Sequence, residues 1–305
     1  LTDKKGTDLS IVLSKNILQN FDRGLASKLI PEEREERNAA VFHASSTGKC
    51  IRKTVIEYLI ANHIRFDDDG QVVHLMEEHE KNDQFLGIVG TGNYWHQTIE
   101  QIAQDTGTNI IAADMISPLS IVENFLKTKT IIPYEHPNDD TIKGMCFVFG
   151  KGDLLIGVTD IQLYIFMDLK TISQNKAKIY ADKAEMIEGL RWVPPERMEA
   201  MQVTMYYLGA SDILKNIQRT ANLHYVICHL DKGTNIRYYS IVQVEDWMLG
   251  VSNYWNEVAL ALNRMTDSGI LPPYSPQESW ECRWGRKRKD SCYLYQYCED
   301  RKRRG

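Results

Sequence analysis

Between residues 150 and 171 the chain reads Gly-Lys-Gly-Asp-Leu-Leu-Ile-Gly-Val-Thr-Asp-Ile-Gln-Leu-Tyr-Ile-Phe-Met-Asp-Leu-Lys-Thr. Two apolar, β-branched runs flank the polar Thr159-Asp160, which predicts two buried strands, or one hairpin, of a sheet core. Further strands are expected at Ile131-Ile-Pro-Tyr134, Met145–Phe149, Leu223–Leu230 and Ile236–Ile241. Helical spacing of apolar positions (Leu9, Ile11, Val12, Ile17, Leu18, Phe21) predicts a helix over 8–27; helices are also expected over 51–61, 94–103 and 244–266, and a short polar one over 73–84. Two more are expected, over about 176–190 and 195–211, with Pro194-Pro195 as the break between them. Residues 31–40 form a charge run suited to a solvated face or loop, Asp67–Gly70 a turn, and Pro272–Pro276 a loop. Strands alternating with helices make the fold class α/β.

Charge inside the central strands changes the picture. Asp160, Asp168 and Lys170 interrupt an apolar stretch, and buried charges are costly unless paired or bound to metal. Asp168 and Lys170 are two apart, so on a strand they share a face. Two carboxylates and an ammonium on one face suit a hard cation such as magnesium. An edge strand carrying a solvated salt bridge is the plain alternative. On the 94–103 helix, His96 and Glu100 are four apart and share a face, as do Gln202 and Tyr206 on the 195–211 helix. The last two could contact phosphate or line a nucleic-acid groove, or belong to an ordinary amphipathic helix.

The chain has 305 residues, 43% hydrophobic and 25% charged, with net charge −5, so it is no general polyanion binder. Yet Arg283–Arg304 holds nine Lys/Arg against three Asp/Glu, a basic end on an acidic protein. No stretch approaches the roughly 20 apolar residues of a membrane span, and no signal peptide is visible, so no membrane partner is expected. Six sparse cysteines point to a reducing, cytoplasmic setting. Cys282, Cys292 and Cys298 lie within 17 residues, a pattern that suggests a metal cluster, iron–sulfur or zinc. Cys50, at a helix start beside Arg52 and Lys53, is the best-placed fourth ligand, in a setting that favours a thiolate. Cys146 and Cys228 sit in apolar runs and read as core thiols. Gly48-Lys49 lacks the rest of a phosphate loop, and Asp67–Gly70 lacks that of a calcium loop.

In order, Cys50, Gly92-Asn-Tyr-Trp-His96, Gly157-Val-Thr-Asp160, Asp168-Leu-Lys170, Gln202-Val-Thr-Met-Tyr206 and Cys282, Cys292, Cys298 resemble the motif series of the RecB-like PD-(D/E)XK nucleases of the iron–sulfur type. That group includes CRISPR-associated iron–sulfur exonucleases, AddB-type recombination nucleases and the nuclease domain of some helicase–nucleases. The resemblance covers about residues 45–298. It departs from the family pattern in the nine residues between Cys282 and Cys292, where two are usual; the basic insert could touch DNA.

The resemblance implies a restriction-endonuclease-like core, a central mixed sheet flanked by helices, with a helical iron–sulfur lobe joining the two ends of the chain. The corresponding domains are 1–89, 90–242 and 243–305. It implies a magnesium- or manganese-dependent DNA exonuclease preferring single strands or free ends, in recombination, repair, phage DNA processing or CRISPR adaptation, with a helicase or recombination protein as a possible partner. His96, Asp160, Asp168 and the Leu169 carbonyl would hold the catalytic metal, and Glu100 a water on it. Lys170 would serve the attacking water, Gln202 and Tyr206 the DNA strand, and Cys50, Cys282, Cys292 and Cys298 a 4Fe–4S cluster, with zinc as the alternative. Two other readings stand beside it: a non-catalytic DNA-binding or assembly subunit with a structural cluster, and an iron–sulfur electron carrier.

Overall fold

The structure, a computed structural model, describes residues 41–62, 64, 119–123, 127–136, 139–158, 163–209, 211–231, 233–234, 236–268, 272, 292, 294 and 298. The described elements, in chain order, are β1 (Phe42–His43), a 3-10 turn (Ala44–Ser46), α1 (Ile51–Ala61), β2 (Leu119–Glu123), β3 (Lys127–His136), β4 (Asp139–Lys151), β5 (Leu154–Val158), β6 (Leu163–Ile172), α2 (Gln174–Lys183), β7 (Glu185–Ile187), β8 (Leu190–Trp192), α3 (Arg197–Gly209), α4 (Ser211–Thr220), β9 (Asn222–Asp231), β10 (Arg237–Ile241) and α5 (Val244–Ser268). They form an α/β protein with mixed sheets flanked by helices. The helices expected over 8–27, 73–84 and 94–103, the charge run 31–40 and the Asp67–Gly70 turn lie outside the described residues.

The described residues divide into two compact units, one drawn from 91–128 and 150–246, the other from 35–90, 129–149 and 247–305. In the first, a seven-stranded sheet runs β2-β5-β6-β9-β10-β8-β7. β5 and β6, expected as two buried strands or one hairpin, pair antiparallel, in register from Leu154↔Met167 to Val158↔Leu163. β6 and β9 then pair in parallel along ten positions, from Leu163↔Asn222 to Ile172↔Asp231. A parallel pair cannot be closed by a tight turn, and the crossover here carries α2, the β7–β8 pair, α3 and α4.

The two faces of β6 differ because side chains alternate. Leu163, Ile165, Met167 and Leu169 join Leu154, Ile156, Val226, Cys228 and Leu230 in one apolar core. The opposite face carries Phe166, Asp168 and Lys170. Tyr206 of α3 reaches this face, its ring 5.8 Å from that of Phe166.

The structure corrects two helix boundaries. The helix expected over 176–190 ends at Lys183, and residues 185–192 form a hairpin instead. Its two-residue turn is Glu188 (φ 55°) and Gly189 (φ 80°), the paired positive φ that matches the twist of hairpin strands. Glycine adopts that backbone freely. The helix expected to run to 211 ends at Gly209, and a further helix, α4, follows from Ser211. At its start α2 is capped by Ser173, whose hydroxyl accepts from the Lys176 N–H at 3.3 Å.

In the second unit β1-β4-β3 make a three-stranded sheet. The inner stripe of α5, Val251, Tyr254, Trp255, Val258 and Met265, is buried at helical spacing. Phe42 stacks on Tyr58 at 4.3 Å and meets Trp255 at 5.4 Å. The polar tips within this core are matched. Tyr254 donates to the Ser46 carbonyl at 2.8 Å, and the Trp255 indole N–H donates to Thr47 Oγ1 at 3.2 Å. Asn263 donates to the Tyr134 hydroxyl at 2.9 Å, which ties β3 to α5.

Candidate functional site

Asp168 and Lys170 occupy alternate positions of β6, and their side chains meet: Lys170 Nζ lies 2.8 Å from Asp168 Oδ2. Asp168 is 1% exposed and the Lys170 side chain 23%, so the pair sits at the rim of the core. Burial works against the Lys170 charge. Asp168, followed by Tyr206 and Asp153, outweighs it and holds the lysine above its ordinary pKa.

Asp153 is a site residue that the sequence reading left out. The β5–β6 register, carried one residue beyond Leu154↔Met167, brings it abreast of Asp168. Its Oδ2 accepts the Leu169 N–H at 2.8 Å, which fixes the carboxylate beside the Asp168–Lys170 pair. The G-x-x-D spacing occurs twice here, as Gly150-Lys-Gly-Asp153 and Gly157-Val-Thr-Asp160. Strand register brings Asp153 to Asp168. Asp160 lies outside the described residues, as do His96 and Glu100.

Gln202 and Tyr206 sit on one stripe of α3, and Gln202 Nε2 donates to the Tyr206 hydroxyl at 2.6 Å. Both are buried. Burial first, then Asp168, raises the Tyr206 phenol well above its ordinary value; Lys170 opposes this and Asp153 adds to it. The phenol therefore stays a neutral hydrogen-bonding group beside the strand charges. One helical turn toward the N-terminus, Glu199 continues the stripe. Its Oε2 lies 2.6 Å from Nε2 of the fully buried His229, and its Oε1 3.1 Å from Lys176 Nζ. His229 is the register partner of Lys170 across β6–β9, and adjacent residues in register project to the same side of a sheet. Sequence patterns offered no sign of this pairing, because Glu199 and His229 belong to different elements thirty residues apart.

The donor chemistry suits a small hard cation. Magnesium is commonly held by one or two carboxylates, the rest of its octahedron coming from water and substrate phosphate. Asp153 and Asp168 are two such carboxylates. Among the described residues, no group of three or more His, Cys, Asp or Glu is placed to hold a metal without such help.

Cys50 is the N-cap residue of α1, as expected from the Ser/Thr-rich approach to that helix. Cys50, Cys292 and Cys298 are all buried, while Cys282 lies outside the described residues. Partial burial would lower the Lys53 ammonium, but Glu57 at 3.7 Å, then Cys292 and Cys50, hold it above the ordinary lysine value. Two of the four expected cluster ligands thus act on the charge of one lysine. As placed, the three described cysteines do not make a three-ligand site. Cys146 is a buried strand thiol whose pKa burial pushes up to about 12.

No family model matches the chain, and no curated protein does. Among solved structures, one titled "Crystal structure of SSO0001" superposes over 95% of this chain and 97% of its own, with 12% identity and a TM-score of 0.41. A likeness at that level supports no assignment. Among the described residues no helix is long and apolar enough to cross a membrane.

Proposed function

We propose that the chain is a metal-dependent DNA exonuclease of the RecB-like PD-(D/E)XK type. The observation that carries this reading is the Asp168–Lys170 pair, buried on one strand face, with Asp153 beside it and the Gln202–Tyr206 stripe over the same face. A purely structural ion pair needs neither a second carboxylate abreast of it nor a neutral phenol facing it.

In this reading Asp153 and Asp168, with the Leu169 carbonyl, would hold a magnesium or manganese ion; the motif resemblance adds His96 and Asp160. When bound, such an ion offsets charge on the phosphodiester and makes water a better nucleophile. Lys170 orients the attacking water and offers a fixed positive charge to the phosphorane-like transition state. Asp168 holds that ammonium in place before substrate arrives. Gln202 and Tyr206 position the strand through neutral hydrogen bonds. Water adds at phosphorus, one P–O bond breaks, and the leaving oxygen takes a proton. The same reading assigns Cys50, Cys282, Cys292 and Cys298 to a 4Fe–4S cluster, with zinc as the alternative. Its role would be structural, and no step of the hydrolysis passes through it. Support comes from Cys50 and Cys292 both raising the charge preference of Lys53.

The test is digestion of end-labelled single- and double-stranded DNA with magnesium or manganese, with each 5′ or 3′ end blocked in turn. Chelation should stop cleavage, and Asp153→Asn, Asp168→Asn and Lys170→Met should each lower kcat on the order of 10²–10³-fold. Undiminished cleavage by folded Asp168→Asn would refute the reading. DNA binding without cleavage by the wild type would favour an assembly subunit instead. Visible absorbance of anaerobically purified protein, lost in Cys292→Ser, tests the cluster separately.

A further inference from the structure

Glu199 belongs to no motif, yet it is one of the most firmly held side chains near the site. His229 grips one oxygen at 2.6 Å and Lys176 the other at 3.1 Å. Both partners are themselves braced. His229 is fully buried, its ring edge-on to Tyr180 at 5.0 Å. Lys176 is shared with Glu196 at 2.9 Å, and Glu196 in turn accepts from the Tyr180 hydroxyl at 2.9 Å. The His229 Nδ1 atom is buried and has no protein hydrogen-bond partner.

The placement of this anion is specific. Spacings of three and four put Glu199 on the α3 stripe that also carries Gln202 and Tyr206. Its clamp residue His229 stands abreast of Lys170 on the same side of the sheet. Lys170 in turn is among the charges that hold Glu199 ionised. A residue that served only to pin α3 would need a hydrogen bond; it would not need a carboxylate held by the residue abreast of Lys170.

We propose that Glu199, clamped by His229 and Lys176, is a positioning residue for Lys170: a fixed buried anion that keeps the ammonium on the working face without touching the substrate. The inference rests on the nuclease reading for its catalytic meaning. A cation taken up by Asp168 would compete for the carboxylate that now pairs with Lys170, and Glu199 then remains as the lysine's fixed counter-charge.

Three variants test it. Glu199→Gln removes the charge and keeps the shape, Glu199→Asp keeps the charge, and Glu196→Gln alters the outer part of the same network. The first readout does not depend on activity. The side-chain methylene NMR signal of Lys170 next to Nζ, identified by its loss in Lys170→Met, should move in Glu199→Gln and stay in Glu196→Gln. The second is kinetic. Glu199→Gln should lower kcat about ten-fold or more while binding single-stranded DNA in EDTA at least as tightly as wild type, with partial recovery in Glu199→Asp. An unmoved Lys170 signal in folded Glu199→Gln overturns the inference, as does a kcat within two-fold of wild type. A wild type that cleaves no DNA overturns the nuclease reading, and the NMR result then decides the role of Glu199 by itself.

Discussion

Removing Lys170 alone should separate the structural from the chemical role of its pair with Asp168. In Lys170→Met the hydrophobic stem is kept and the ammonium is lost, so Asp168, 1% exposed, loses the counter-charge that lies 2.8 Å away. Breaking a buried ion pair on one side costs about 3–5 kcal/mol. Lys170 is 23% exposed, and water at that end softens the loss, so the lower figure, about 3 kcal/mol, applies. In the double variant Asp168→Asn/Lys170→Met no charge is stranded, and the net loss should fall to about 1 kcal/mol, roughly 2 kcal/mol less than in Lys170→Met alone. Urea unfolding of the four proteins measures this directly. On the nuclease reading the double variant recovers stability but not cleavage. Two results would refute the reasoning. A loss under about 1 kcal/mol in Lys170→Met would mean that the pair behaves as a solvated surface bridge. Normal cleavage by the double variant would mean that the pair has no part in the chemistry.

Other expectations follow from particular contacts. Burial tends to raise the Glu199 pKa, but the hydrogen bond and charge of His229, then Lys176 and Lys170, pull it to about 2 against an ordinary 4.5. A carboxylate depressed in the folded state stabilises above its unfolded pKa and loses that contribution as pH falls toward its folded one. Wild-type stability should therefore drop by roughly 3 kcal/mol more than that of Glu199→Gln between pH 5 and 2, measured by urea unfolding across that range. Trp255 is fully buried and donates to Thr47, so Trp255→Ala should cost about 3–5 kcal/mol, read as a shift in the unfolding midpoint. Cys146, with its thiol raised to about 12, should resist alkylation at pH 8 in native protein and react once unfolded, as peptide mass spectrometry would show. Gly189→Ala places a side chain at φ 80° in the β7–β8 turn and should cost about 1–2 kcal/mol in thermal or urea unfolding.

The sequence alone determined those parts of the protein in which a local period carries the information. The hairpin of β5 and β6, the β9 and β10 strands and the long α5 helix are legible because apolar residues recur with the repeat of the element that buries them. A period of two likewise puts Asp168 and Lys170 on one face before any fold is known. The β7–β8 hairpin was not legible, because its strands are three residues each and its turn uses Glu188, which does not announce a positive φ. Tertiary structure also brought in a carboxylate that spacing had not singled out. Asp153 looks ordinary in one dimension, and the antiparallel register brings it to Asp168. It likewise joined Glu199 on a helix to His229 on a strand, a meeting that depends on the parallel β6–β9 pairing and the crossover above it. Periodicity reports which way a side chain faces, whereas a site depends on which faces meet, and that follows from strand order and register.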